Sequence, residues 1–205
     1  RLRHAIAVSA AYSSDLGGSS GVTWTDRNVF GNAEQLSIAA SVINVGGSDT
    51  TGVGYDTSAK FLKPDFGRRD QSLQLTVGAI KQSLQAYDQT ARTTSLTLSR
   101  KISGTWSVSI GGATADERIV QENTTHNDTL LAMPLNVAYD STHLSSPLED
   151  PRGGIRSSLS VTPTLALGHP NATFVITQIK IAGYFDLNHL FAIEPSFAGV
   201  FANFP

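Results

Sequence analysis

Hydrophobic and polar positions alternate along nearly the whole chain. In residues 155–168, Leu159, Val161, Pro163, Leu165 and Leu167 fall on one face of an extended chain. Ser158, Ser160, Thr162, Thr164 and Ala166 fall on the other. Successive side chains of a strand point to opposite sides, so a period of two predicts a strand with one apolar and one small or polar face. A strand between lipid and a wet lumen needs that pair of faces.

The same rhythm predicts strands over residues 4–14, 21–28, 34–45, 52–63, 71–85, 94–102, 105–113, 129–139, 155–168, 173–185 and 190–201. In the first, Ile6, Val8, Ala10 and Tyr12 lie together; in the second, Val22 and Trp24 oppose Thr23 and Thr25. Turn chemistry separates the strands. Gly46-Gly47-Ser48-Asp49 and Pro64-Asp65-Phe66-Gly67 combine glycine, proline and short polar side chains. Residues 116–128 are polar and read as a long loop, or as strand ends rising beyond the membrane. About eleven strands result, most near the ~9–11 residues that cross a bilayer at a tilt. The predicted class is all-β: an antiparallel meander forming part of a transmembrane barrel. Trp24, Tyr55, Tyr87, Trp106, Tyr139 and Tyr184 fall near strand ends, where interfacial girdles place aromatics. The core of a soluble sandwich would use them as well.

Composition agrees with this picture. Charged residues make up 16% of the 205, below the roughly 25% of an ordinary soluble domain. No apolar run approaches the ~20 residues of a membrane helix. A net charge of −2 supplies no basic field for nucleic acid. Cysteine is absent, which excludes disulfide frameworks and thiolate metal sites. His4, His126, His143, His169 and His189 lack metal-ligand spacing. No G-x-S-x-G and no phosphate-binding glycine loop occurs. The expectation is a protein without cofactor, metal or catalytic site.

Three segments resemble the BamA/TamA-type outer-membrane assembly factors, the bacterial surface-antigen barrel family. Residues 11–14 with Gly17-Gly18 are similar to the family's first strand and hairpin. Thr25-Asp26-Arg27-Asn28-Val29-Phe30-Gly31 resembles its T-D-R-N-L-F-G turn. Tyr139-Asp140-Ser141-Thr142 with Asp150-Pro151-Arg152-Gly153-Gly154 resembles its Y-D … D-P-T-R-G hairpin, one residue out of step. Taken as turns, Asn28, Phe30 and Gly31 supply turn geometry and packing, and Pro151 with two glycines does the same.

The resemblance carries several expectations. Residues 1–205 would be one partial barrel domain, about eleven of sixteen strands. The periplasmic POTRA modules would lie before it, and the Val-Arg-Gly-Tyr/Phe loop with the last strands would lie after it. The 140–153 hairpin would face the periplasm, with Arg152 available to lumen carboxylates. The first strand, with Ile6, Val8, Ala10 and Tyr12, would be a lateral gate that templates incoming strands. Its partners would be outer-membrane lipid, unfolded outer-membrane clients including autotransporters, and a periplasmic or inner-membrane subunit. The site would be the bacterial outer membrane. A passive channel, a soluble secreted β-sandwich or adhesin domain, and the barrel of a patatin-type lipase remain open as alternatives.

Overall fold

The structure is a computed structural model that describes residues 3–122, 124–144, 151, 153–168, 171–187, 191–193 and 196–203. Thirteen β-segments form a single sheet: β1 (His4–Ser13), β2 (Gly17–Asp26), β3 (Gln35–Val45), β4 (Thr50–Lys63), β5 (Gln71–Leu84), β6 (Asp88–Lys101), β7 (Trp106–Gln121), β8 (Thr124–Ala132), β9 (Leu135–Asp140), β10 (Gly153–Leu167), β11 (Ala172–Leu187), β12 (Phe191–Ile193) and β13 (Ser196–Asn203). All pairings are antiparallel.

The segments occupy eleven rows. β8 and β9 share the row between β7 and β10, and β12 and β13 share the row beside β11. The break in the first shared row is chemical. Proline has no N–H to give a ladder, and Pro134 sits at the interruption. The row is still stitched there, by Gly111 N–H to the Pro134 carbonyl at 2.9 Å and Met133 N–H to the Pro163 carbonyl at 3.0 Å. The predicted strand 129–139 is therefore two segments in one row. Of the two readings of the polar stretch 116–128, strand ends hold and the loop does not: β7 and β8 run on through it, from Asp116↔Thr129 to Gln121↔Thr124.

The sheet is turned inside out relative to a soluble domain. In β7, Trp106 and Ile110 are exposed, while Ser107, Ser109, Ala113 and Glu117 on the other face are half-buried. In β10, Ile155, Leu159, Leu165 and Leu167 are exposed, and Arg156, Ser158, Ser160 and Thr162 are half-buried. Among the described residues Ala91 is the one buried hydrophobic side chain. No second sheet covers the apolar face among them, so a sandwich core is not what these residues build. The register keeps the apolar face continuous across strands, as in Leu73↔Leu98↔Ile110↔Leu135↔Val161. An antiparallel meander with an exposed apolar face and a half-buried polar face is the construction of a transmembrane barrel wall.

Aromatics mark the ends of that band. Trp24, Phe61, Trp106 and Tyr139 lie at the end holding residues 27–34, 64–70, 102–105 and 141–144, called here the base. Trp106 packs on Tyr139 with ring centroids 4.9 Å apart. Tyr12 and Tyr55 lie on the same face toward the opposite end. There the β1–β2 and β3–β4 turns are zipped by Ser48 N–H to the Ser14 carbonyl and Asp49 N–H to the Asp15 carbonyl, both 3.0 Å. Gly17-Gly18 is thus the start of β2 rather than the turn. A Cβ at Gly17 would sit 2.4 Å from the Val45 carbonyl oxygen, so glycine is what lets the two turns touch.

Candidate functional site: a strand edge and the turns at its base

Among the described residues β1 pairs with β2 alone. The ladder fixes which of its backbone groups are used. Arg27 N–H donates to the Arg3 carbonyl at 3.0 Å, so Arg3 turns its backbone toward β2. Antiparallel residues alternate between pairs that exchange both bonds and pairs that exchange none. Ala5, Ala7, Ser9, Ala11 and Ser13 therefore bond to β2. Ile6, Val8, Ala10 and Tyr12, the four residues expected in the gate strand, aim their N–H and C=O groups away from it. Their side chains are on the apolar face, with Ile6, Val8 and Tyr12 each more than 70% exposed. The polar face of β1 carries only alanine and serine, and Gly21 lies opposite Ser9.

The base of this edge is pinned. Asp26, 5% exposed, accepts from Arg3 Nε at 3.1 Å and from Asn28 N–H at 2.9 Å. His4 Nδ1 lies 3.7 Å from its second oxygen, and the His4 ring stacks on Trp24. The Asn28 side-chain oxygen accepts from Ala33 N–H at 2.8 Å, which closes the turn. Gly31 has φ of 97°, a conformation glycine adopts at no steric cost. Phe30 leaves the turn to meet Phe61 edge-on, 6.1 Å between centroids. Val29 N–H donates to the Glu34 carbonyl at 3.0 Å, so Asp26, Asn28, Val29, Phe30 and Gly31 each have a structural task in this turn.

Glu34 ends the same turn and is 1% exposed. It accepts from Asn32 N–H at 2.9 Å, with Lys63 Nζ 3.8 Å away. Burial by itself pushes its carboxyl up, but the Asn32 and Glu34 N–H groups, the Asn32 side chain and Lys63 outweigh burial and hold it below the usual glutamate value. The sequence reading did not single out Glu34. Its only signal was a carboxylate just before an apolar strand.

A second cluster joins β9, β10 and β11 on the polar face. Arg156 Nε donates to Asp140 at 2.9 Å, and Arg156 Nη2 donates to the Thr142 hydroxyl at 3.1 Å. Asp140 also accepts from Thr142 N–H and hydroxyl, at 2.9 and 2.6 Å. The guanidinium lies 5.5 Å from the Tyr184 ring centroid. Ser141 and Ile155 exchange bonds, with Ile155 N–H to Ser141 Oγ at 2.9 Å and Ser141 N–H to the Ile155 carbonyl at 3.0 Å. Gly154, φ 110°, has no room for a Cβ, which would lie 2.8 Å from the Ser141 carbonyl oxygen. Tyr139, Asp140 and Gly153 of the expected hairpin are placed at this closure. Pro151 is half-buried, and Asp150 and Arg152 lie outside the described residues. The lumen-side arginine that pairs with a carboxylate here is Arg156, which the sequence reading missed. Its signal was a single cation on the serine face of β10.

Among the described residues no group of three histidine, aspartate or glutamate side chains is arranged to hold a metal ion. The arrangement is built from turn closures and a strand edge. What it offers is backbone hydrogen-bonding capacity along one edge, set in an apolar wall.

No curated protein was found to match the chain. A family model for the Omp85 superfamily domain matches residues 28–201, which spans β3 to β13 and the turn before them. With a match over that much of its length, and with the inside-out antiparallel sheet the match requires, the chain belongs to the Omp85 superfamily, whose members are outer-membrane assembly and translocation proteins.

Proposed function

We propose that this protein is a BamA/TamA-type assembly or translocation factor, in which β1 receives a strand of an unfolded outer-membrane or autotransporter client. The observation that supports the reading is the direction of the β1 backbone: among the described residues, Ile6, Val8, Ala10 and Tyr12 turn their N–H and C=O groups away from β2. An unsatisfied backbone group in hydrocarbon costs several kcal/mol. Four residues with such groups give a strong drive to add a strand when the edge is open within the bilayer. Strand addition satisfies them without any recognition of client sequence. The alanine, serine and glycine lining of β1 and β2 adds little side-chain packing on the polar face, so what holds a partner there is mainly the ladder. No chemical step is needed: the client exchanges an unsatisfied backbone for a paired one, and its release follows when its own strands close. A periplasmic or inner-membrane subunit would deliver clients to the base.

Val8→Pro tests this reading. Proline at Val8 removes a donor on the open side and leaves the bonds of Ala7 and Ser9 to β2 intact. The intact protein should fold and insert, yet lose client assembly, while Val8→Ala keeps it. Full assembly activity in a folded Val8→Pro protein would overturn the reading.

A further inference from the structure

The base of β5–β7 carries a cationic rim on the lipid side of the sheet. Arg100 is exposed and lies on the apolar face, in register with Gln71 and Val108. The 64–70 turn brings Arg68 and Arg69, both exposed, to the same corner, fixed by Lys101 N–H to the Asp70 carbonyl at 2.9 Å. The acids nearby are Asp65 and Asp70. Asp65 already accepts from Asp70 N–H at 2.9 Å, and neither acid forms a salt bridge with these arginines. Arg68, Arg69 and Arg100 have no side-chain partner among the described residues. Beside them Phe66, Ile102 and Trp106 are exposed by 39, 64 and 47%. The apolar wall that continues from this corner includes Leu96 and Ile110, again about half exposed. The opposite end of the same strands has the reverse balance: Asp88, Asp116, Glu117 and Glu122 outnumber Lys81, Arg92 and Arg118.

We infer that Arg68, Arg69 and Arg100 form a binding site for the phosphate of an anionic phospholipid, whose acyl chains lie on the wall of Leu96 and Ile110. Charge complementarity and continuity with the apolar band select this occupant. The guanidinium fork matches a phosphate, and Trp106 and Phe66 are suited to the headgroup level. An ordinary zwitterionic lipid would fill the same apolar wall and gain less from three unpaired cations. The inference does not depend on the strand-addition reading, since a barrel of any function would meet lipid here.

The test is native mass spectrometry of the intact protein taken from mixed micelles of equal phosphatidylglycerol and phosphatidylcholine. The wild type should retain phosphatidylglycerol in preference, by about fivefold for each arginine engaged. R68Q/R69Q/R100Q should lose the preference, R68K/R69K/R100K should restore most of it, and K81Q/R92Q/R118Q, neutralised at the other end, should keep it. Heat-modifiable gel mobility reports that each variant is folded. If the glutamine variant does not fold, the lysine variant and the wild type against the far-end variant still decide the matter. Equal retention of the two lipids by wild type, or equal loss of preference in both neutralised variants, would overturn the site.

Discussion

Arg156 and Asp140 face each other directly across β9 and β10, with the guanidinium Nε 2.9 Å from the carboxylate. Asp140 holds Thr142 and Arg156 reaches Tyr184, so this pair ties the segment 141–144 after β9 to β11. Both side chains are more than a third exposed, 38 and 49%, so water screens their attraction. A double-mutant cycle of Arg156→Ala and Asp140→Ala should give a coupling of about 0.5–1 kcal/mol, in the range of exposed pairs. Arg156→Ala alone should cost about 1–2 kcal/mol, because the cation–π contact and the Thr142 bond go with it. Denaturant titration of the folded protein in detergent reads both.

Gly154 and Gly112 should respond oppositely to alanine. Gly154 has a positive φ and backbone atoms of Ser141 and Thr142 within 3.0 Å of a Cβ, whereas Gly112 has open space. Gly154→Ala should cost about 1–3 kcal/mol through strain at the turn, and Gly112→Ala should be neutral or slightly stabilising. The same titration compares them.

Glu34 gives the β2–β3 turn an acid limit. Its carboxyl is held below the usual glutamate value in the folded protein. Its contribution to stability is therefore complete above the unfolded value and is lost as pH falls through the lowered folded one. Glu34→Gln should narrow the difference in stability between neutral and acid pH, with its largest deficit near neutrality. Limited proteolysis of the 27–34 turn against pH checks this, and an unchanged pH profile would contradict it.

A charge on the apolar face should be far more harmful than the same charge on the polar face. Leu96, near the middle of β6, is 48% exposed on the apolar side, and Ser95 points to the other. Leu96→Arg should destabilise the inserted protein by about 2–4 kcal/mol, the range for arginine at a bilayer midplane. Ser95→Arg should cost much less. Comparable costs at the two sites would contradict the assignment of faces.

The faces and rows of the sheet were legible because a side-chain period of two reports directly on which side a residue lies. Where that signal stopped, the reading stopped too. Residues 116–128 read equally as a loop or as strand ends because Glu117, Arg118 and Asp128 are charged; the ladder decides for strand ends, since it needs only backbone groups, and apolar side chains are required only where a strand meets lipid. Gly17-Gly18 was legible as part of the first hairpin, and Gly17 does adopt a positive φ, 76°. What was not legible is that it also admits the neighbouring turn at Val45–Gly47, a contact made by chain distant in sequence. The break at Pro134 was visible as a residue, but that β8 and β9 stay in one row depends on Gly111 and Pro163. In the site, the turn motifs were legible as turns. The partners of Asp26 and Asp140, which are Arg3 and Arg156, are set by register across strands, and register is not written locally.

The most direct test of the account is a disulfide trap at the β1 edge, set in a stretch of 205 residues that holds no cysteine. Val8→Cys in the intact protein, supplied with a client carrying one cysteine in its terminal strand, should give a client adduct under mild oxidation. Ser58→Cys, in β4 and paired on both sides, should give none. Absence of an adduct at Val8, or equal adducts at the two positions, would contradict the claim that β1 receives the client strand.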